Sequence, residues 1–371
     1  MSTLLAAAAR RRRGGGSPLQ RQRGIAMLVA ILLVALGTIV AAAVAYESAM
    51  SARRGTATLA IDEALLVGQG AEALAAYGLK AVMQNSKPGT SGTVDVYPSQ
   101  PWAQPVGPLE VVPGVTLEAT LEDMQGRFNL NWLVDSGQAS SGGTNGQNGT
   151  SLNTSTTGMN NGNGAVPGGT PGPDAGAVKA FNSLLESLGI DTKWTDMIVD
   201  WIDADNMPQT QGGEDSLYLS QNPPYLTANR YLTSITELLA LPGFGRENYA
   251  KLAPFITALP PATPLNICSA PAQVLDAFTT QKTFSGDGGG GLAKNRESAP
   301  GCFPDLTTYK AGFVGNDLQS AGTNRFGTTS TYFRLSSLVT IGTTEFNLYS
   351  LLYMNPQGYV ISPVQRSFSP D

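Results

Sequence analysis

Residues 21–36 read "RQRGIAMLVAILLVAL", and this stretch decides the fold. An apolar run begins directly after Gly24 and continues without a charged residue to Tyr46. An α-helix of about 20 apolar residues spans the roughly 30 Å hydrocarbon core of a membrane. The sequence therefore predicts a single transmembrane helix over residues 25–46.

The residues before this helix are strongly basic. The first 24 residues contain six arginines and no acidic residue. Because basic flanks stay in the cytoplasm, we expect a cytoplasmic amino terminus and an exported body. The rest of the chain has 17 Lys and Arg residues against 28 Asp and Glu residues, a net charge of −11. Such a surface repels nucleic acid and favours cation binding.

The helical pattern continues beyond the membrane segment and predicts a helix that runs to about Val82. Small and apolar residues recur at three- and four-residue spacing, namely Ala60, Ala64, Val67, Ala71 and Leu74. Ordinary secretion is an alternative, since Ala43-Val44-Ala45 offers a signal-peptidase site. However, the apolar run is long for a secretory signal, and a signal would not share one helix with the domain it delivers.

Strand patterns lie on both sides of a long middle region. The stretch "LEVVPGVTLEATLED" at 109–123 predicts two strands around a Pro-Gly turn. In "GRFNLNWLV" at 126–134 large apolar residues alternate with asparagines, which predicts a half-buried strand. Strand patterns return from Tyr332 to the end of the chain.

The middle region divides into a polar part and a helical part. Residues 136–173 have almost no apolar content, which predicts a disordered loop. Residues 174–325 are mainly helical, with one amphipathic helix that ends at Gly189 and a capping box from Ser234 to Glu237. A second glycine-rich loop is expected at about 284–300.

This order of elements predicts an α+β fold interrupted by a large, mainly α-helical insertion. The predicted segments are a basic leader (1–24), the transmembrane part of the helix (25–46), the stem helix continuation with the first strands (47–135), the low-complexity loop (136–173), the helical insertion (174–325) and the C-terminal strands (326–371).

The densest acidic cluster lies in "DWIDADNMPQTQGGEDSLYL" at 200–219. Its carboxylates are the oxygen ligands that Ca²⁺ prefers, and Gly212 and Gly213 let the backbone turn its carbonyls inward. Three of them match positions one, three and twelve of an EF-hand, but Met207 and Pro208 break that motif. A solvated acidic loop is the alternative. The candidate ligands are Asp200, Asp203, Asp205, Glu214 and Asp215.

Catalytic functions have little support. The chain has no histidine, which excludes Ser-His-Asp triads, Cys-His pairs and His-ligated metals. Paired carboxylates could act as general acid and base, as in glycosidases, but no second motif completes such a site. A secreted calcium-dependent hydrolase is a further alternative, but the sequence offers no catalytic group for it. We therefore expect that the protein is not an enzyme.

Residues 234–259, "SITELLALPGFGRENYAKLAPFITAL", resemble the helix-hairpin-helix elements of DNA-binding proteins, whose hairpin amides contact phosphate. However, residues 174–325 contain 10 basic and 16 acidic residues. DNA binding needs a basic surface, so a packing role is favoured and nucleic acid is not expected as a partner. An exported DNA-binding or DNA-uptake protein is the runner-up.

The chain has two cysteines, Cys268 and Cys302, in the exported region. An oxidising compartment favours a disulfide between them, and two free thiols are the alternative.

The amino terminus resembles that of a type IV prepilin. In that class a membrane peptidase cleaves after the glycine and the new first residue is N-methylated, which the resemblance assigns to Gly24 and Ile25. Most members have Glu at the fifth mature position. Here that position is Val29, a departure shared by the K-type minor pseudopilins of type II secretion.

Four stretches together resemble the K-type minor pseudopilins, the general secretion pathway protein K family. They are the leader with its non-acidic fifth position, "QGRFNLNWLV" (125–134), the acidic stretch with the following hairpin (200–244), and "LPPATPLNICSAPAQVL" (259–275).

This resemblance implies a pseudopilin fold, in which the long N-terminal helix packs on an antiparallel sheet, and a calcium site in the acidic loop. It also implies that the chain caps the pseudopilus tip with I- and J-type minor pseudopilins and helps initiate assembly. The major pseudopilin and prepilin peptidase are further implied partners. The implied location is the bacterial inner membrane, with one membrane span and a periplasmic body.

Overall fold

The computed structural model describes residues 23–86, 94–134, 172–279, 282–286, 290–299, 301–311 and 325–369. The chain divides into two compact units, Met1–Glu63 and Ala64–Asp371. The predicted leader and the predicted low-complexity loop lie almost wholly outside the described residues.

The described elements alternate between one long helix, strands and short helices. In chain order they are α1 (Arg23–Asn85), β1 (Val106–Val112), β2 (Val115–Asp123), β3 (Phe128–Asn129), α2 (Ala175–Ser187), α3 (Lys193–Ile202), α4 (Asp215–Leu219), α5 (Gly245–Leu252), β4 (Ile256–Thr257), β5 (Leu265–Asn266), α6 (Ala272–Ala277), α7 (Gly290–Ser298), α8 (Leu306–Ala311), β6 (Phe326–Gly327), β7 (Tyr332–Ile341), β8 (Thr344–Asn355) and β9 (Val360–Ser367).

Helix α1 is continuous, as predicted. Among the described residues it is the one helix long and apolar enough to cross a membrane. The large apolar side chains between Ile25 and Val44 are exposed to the surroundings. This is the pattern of a helix whose first part lies in lipid.

The second unit contains a five-stranded antiparallel sheet with the strand order β1-β2-β7-β8-β9. Strands β2 and β7 pair from Val115 with Ile341 to Asp123 with Phe333. Because these neighbours are distant in sequence, everything between β2 and β7 is an insertion into the sheet. The predicted hairpin at 109–123 and the predicted C-terminal strands are confirmed.

The C-terminal part of α1 packs on one face of this sheet. Ala64, Ala71 and Leu79 are buried there. At Gly68 a Cβ atom would lie 2.7 Å from Cδ2 of Leu348, so glycine permits a close approach of helix and sheet. This packing forms one hydrophobic core.

A second hydrophobic core lies in the insertion, where α2 to α8 surround two short parallel strand pairs, β3 with β4 and β5 with β6. The helix predicted to end at Gly189 does end there, with that glycine at φ +67°. The predicted capping box of Ser234 and Glu237 is present, although the helix it begins is a 3-10 helix, Ile235–Ala240.

Two sequence predictions are wrong. Residues 126–134 do not form a half-buried strand. Only Phe128 and Asn129 are in a strand, β3, and a 3-10 helix, Leu130–Leu133, follows it. Both faces are buried because Asn129 and Asn131 bind the backbone of the insertion instead of water. Within the predicted loop at 284–300, residues 290–298 form α7, which Leu292 anchors in the insertion core.

Candidate metal centre

The acidic loop lies between α3 and α4. Helix α3 is buried along most of its length and ends at Ile202, because Asp203 adopts an extended backbone with ψ 167°. Glu214 occupies the N-cap position of α4. The loop between these helices therefore begins and ends with a carboxylate on a rigid element.

Three predicted ligands converge. One carboxylate oxygen from each of Asp203, Asp205 and Glu214 lies within 4.8 Å of the other two. Ligands about 2.4 Å from a common Ca²⁺ centre are at most about 4.8 Å apart, so the spacing fits this ion.

The two end carboxylates are buried without hydrogen-bond partners. Asp203 is 1% and Glu214 5% exposed. None of their four carboxylate oxygens has a hydrogen-bond partner among the residues that the structure describes. Buried carboxylates without a partner are costly, and a cation would remove this cost.

The electrostatics of the loop also favour a cation. Burial, followed by repulsion from neighbouring carboxylates such as Asp205, raises the pKa of Asp203 to about 7 and that of Glu214 to about 7. Burial likewise raises the pKa of Asp200 to about 6, although backbone N–H groups oppose it. Each carboxylate would thus be ionised more readily beside a positive charge.

Asp200 organises the loop rather than joining the three converging groups. Its two carboxylate oxygens accept the Gln209 N–H at 3.0 and 3.1 Å. A Cβ atom at position 212 would lie 1.9 Å from Oδ2 of Asp200, so only glycine fits at Gly212. The backbone of the loop is folded around this carboxylate.

Asp215 also points elsewhere. Its Oδ1 accepts the Thr227 N–H at 3.1 Å and the Thr227 hydroxyl at 2.7 Å. It therefore holds the segment after α4 against the loop. Of the five candidate ligands, the structure brings three together and gives Asp200 and Asp215 positioning roles.

Sequence reasoning missed two oxygens beside this loop. The Oη atom of Tyr218, between the rings of Trp201 and Tyr225, is buried and has no hydrogen-bond partner in the described part of the chain. The same holds for Oδ1 of Asn229, whose Nδ2 donates to Asn206 at 3.1 Å. The sequence shows the acidic cluster, but it contains no pattern that points to Tyr218 or Asn229.

The chemistry of this donor set is that of a hard cation. All candidate donors are oxygen atoms, which suits Ca²⁺ or Mg²⁺ rather than Zn²⁺ or copper. The arrangement offers charge and buried oxygens on two helix ends, and the ion would tie α3 to α4.

The other candidate residues lie apart from this loop. Gly24 and Ile25 belong to the first turn of α1. Cys268 and Cys302 are joined by a disulfide. In the hairpin at 234–259, Leu238 and Phe244 are buried in the insertion core, which is a packing role.

A family model described as "Type II secretion system (T2SS), protein K" matches residues 126–261. The type II secretion system protein K of Pseudomonas aeruginosa is 30% identical over 352 residues, which cover 91% of this chain and 91% of that protein. The chain belongs to the type II secretion system protein K family.

Two further comparisons agree. The protein K of Pectobacterium carotovorum subsp. carotovorum is 28% identical over 94% of this chain and 97% of that protein. A chain in the crystal structure of the GspK-GspI-GspJ complex from enterotoxigenic Escherichia coli has a TM-score of 0.63 and 22% sequence identity, over 86% of this chain and 100% of that one. The latter similarity shows the fold.

Family membership confirms the predicted resemblance and, with the structural match, the predicted fold class. The protein is a minor pseudopilin, a structural component of the type II secretion machinery, and the DNA-binding alternative is not favoured. Its apolar N-terminal helix fits a single-pass membrane anchor.

Proposed function

We propose that this protein K family member caps the tip of the pseudopilus together with I- and J-type minor pseudopilins and helps initiate its assembly for protein export. The observation that supports this most directly is the fold match to a chain in the crystal structure of the GspK-GspI-GspJ complex from enterotoxigenic Escherichia coli. The major pseudopilin below the tip is a further partner in this proposal.

The large insertion in the second unit supports a position at the tip. It joins the sheet between β2 and β7 and has a hydrophobic core of its own, which adds a second packed body to the sheet. A subunit with so much added bulk leaves no room for another above it in a helical stack. At Val29 the chain also lacks a buried acid that could bind the amino terminus of a neighbour.

A partner helix has a suitable surface on α1. Leu66, Leu74 and Tyr77 are 67%, 44% and 74% exposed. Helical spacing places Leu66 and Tyr77 on the side opposite to the buried Ala64 and Ala71, and Leu74 on the flank between the two sides. We call these three residues the exposed stem face. It is where we propose that the I- or J-type stem packs.

The complex tests this proposal. The full-length chain, co-expressed with its I- and J-type partners in detergent, is expected to purify as a ternary complex. Leu74→Asp should reduce recovery of the partners at least tenfold, because a charge would lie in an apolar helix contact. Leu239→Asp in the insertion is the matched control, since both leucines are 44% exposed. Equal recovery for both variants would contradict the proposed surface.

We further propose that the acidic loop binds Ca²⁺ through Asp203, Asp205 and Glu214. The unpartnered buried oxygens and the fit of their spacing to this ion support the proposal. Adding Ca²⁺ to the chelator-treated full chain should raise its melting temperature. Asp203→Asn should remove this shift, whereas Glu118→Gln, at an exposed site on β2, should keep it. A calcium shift that survives Asp203→Asn would refute this ligand set.

Processing completes the proposal. A prepilin peptidase would cleave between Gly24 and Ile25 and N-methylate Ile25, which leaves α1 anchored in the inner membrane and the body in the periplasm. The position of Gly24 and Ile25 at the start of α1 supports this, because cleavage there leaves the apolar helix intact.

A further inference from the structure

Helix α7 lies in the segment that the disulfide closes. Cys268 follows β5, and Cys302 lies beyond the end of α7. Cys268 is buried, whereas Cys302 is only partly buried. The two cysteines are 34 positions apart, so some feature of the fold must bring their segments together before a bond can form.

Arg296 on α7 binds both of these segments. Its Nε donates to the carbonyl oxygen of Phe303 at 3.0 Å. Its Nη2 donates to the carbonyl oxygens of Ile267 at 2.9 Å and Ala270 at 2.8 Å. Since Ile267 precedes Cys268 and Phe303 follows Cys302, one guanidinium connects the same two backbone segments as the disulfide.

The environment of Arg296 is unusual for an arginine. Among the described residues no carboxylate forms an ion pair with it, and its hydrogen bonds there all go to backbone carbonyls. Burial lowers the pKa of this guanidinium to about 10, so it remains charged at neutral pH. Hydrogen bonds from a charged donor are stronger than those from a neutral donor. The guanidinium of Arg296 is therefore suited to hold the two backbone segments together.

We propose that Arg296 is a positioning residue for disulfide formation, which holds the Cys268 and Cys302 segments together in the reduced protein. In the dithiol form the three carbonyl contacts keep the two thiols adjacent and so raise their effective concentration. This role belongs to oxidative maturation of the exported body, and it is independent of tip assembly and of calcium.

The reaction balances with a disulfide as the oxidant. One cysteine thiolate attacks glutathione disulfide and releases one glutathione, which gives a mixed disulfide. The second cysteine thiolate then attacks the protein sulfur of that bond and releases the second glutathione. The protein loses two electrons and two protons, and glutathione disulfide becomes two glutathione molecules.

The experiment measures the equilibrium between dithiol and disulfide. The full-length chain in detergent is equilibrated with defined ratios of glutathione and glutathione disulfide, and the oxidised fraction is read by thiol alkylation and mass spectrometry. Arg296→Met keeps an unbranched apolar stem but removes the guanidinium donors. We expect the effective concentration of the thiol pair to fall at least tenfold, equal to about 30 mV for a two-electron couple.

The control is Lys294→Met on the same helix, whose side chain is exposed, and it should match the wild type within twofold. A well-folded Arg296→Met variant that also matches the wild type within twofold would overturn the proposal.

A second variant and a denaturant keep the test decisive if Arg296→Met does not fold. Arg296→Lys retains the charge but not the fork of donors, and we expect an intermediate decrease of about threefold. In concentrated guanidinium chloride the wild type and both variants should show one common equilibrium, because the carbonyl contacts are absent there. A difference that persists in denaturant would mean that the effect does not come from the folded contacts, and the proposal would be wrong.

Discussion

The substitution Asn131→Ala distinguishes the observed structure from the strand that the sequence predicts at 126–134. On a half-buried strand, an asparagine between apolar residues would face water, and its loss would change stability little. In the structure Asn131 is 1% exposed. Its Oδ1 accepts the Leu232 N–H at 2.8 Å, and its Nδ2 donates to the Leu232 carbonyl at 2.9 Å and the Leu259 carbonyl at 2.8 Å.

The magnitude follows from the groups that would lose a partner. The Leu259 carbonyl keeps a bond from Nδ2 of Asn129 at 3.0 Å, but the N–H and carbonyl of Leu232 both lose the amide of Asn131. A buried polar group left without a partner costs about 1–3 kcal/mol, so two such groups cost about 4 kcal/mol. At about 3 °C per kcal/mol for a domain of this size, the melting temperature should fall by roughly 12 °C.

The assay is thermal unfolding of the full-length chain in detergent, followed by near-UV circular dichroism. Trp132, Trp194 and Trp201 are all in the insertion core, so the signal reports on the region around Asn131. Asn347→Ala is the matched control, because Asn347 is exposed on β8, and it should change the melting temperature by less than about 2 °C. Equal small shifts for both variants would refute the buried arrangement of 126–134.

Two further predictions concern polar contacts elsewhere in the fold. Burial raises the pKa of Glu72, but hydrogen bonds from Arg366 and Ser350 and the charge of Arg366 outweigh it and hold that pKa below its usual value of 4.5. Because the folded state lowers this pKa, the ionised Glu72 stabilises the fold above about pH 4.5, and this stabilisation is lost as the pH falls through the lowered pKa. Acidification from pH 6 to 3 should therefore destabilise the wild type more than Glu72→Gln in thermal melts. Gly212→Ala would place a methyl group 1.9 Å from the Asp200 carboxylate, which should cost about 1–3 kcal/mol in the same assay and weaken the calcium shift, whereas Gly78→Ala, with open space around it, should cost nothing.

Short sequence patterns predicted the elements of this fold that are determined by interactions between residues close together in the chain. The apolar run predicted α1, the Pro-Gly turn predicted the β1–β2 hairpin, and Ser234 with Glu237 predicted a capped helix. Each of these signals acts within a few residues along the chain. The family resemblance added the antiparallel sheet, which composition alone does not specify.

The wrong predictions have a common physical cause in long-range contacts. The side chain of Asn131 bonds to Leu232 and Leu259, more than 100 positions away, and no local pattern shows this. The glycines before α7 suggested a loop, but Leu292 and Arg296 tie the segment to distant residues. Tertiary contacts here override local preference.

The candidate metal site was predictable in composition but not in geometry. The cluster of acids is visible in the sequence, and three of the five candidates converge. Which three converge depends on backbone contacts, since Asp200 accepts the N–H of Gln209 and Asp215 accepts that of Thr227. The unpartnered oxygen of Tyr218 depends on how α4 packs, which spacing does not determine.

The central claim is that this chain is a processed minor pseudopilin anchored by α1. It is tested most directly by the intact mass and amino-terminal sequence of the mature protein purified from membranes of the native cell. We predict a chain that begins at Ile25 with an added methyl group. A mature chain that begins at Tyr46 would mean cleavage as an ordinary secretory signal, without the membrane helix, and would contradict the account.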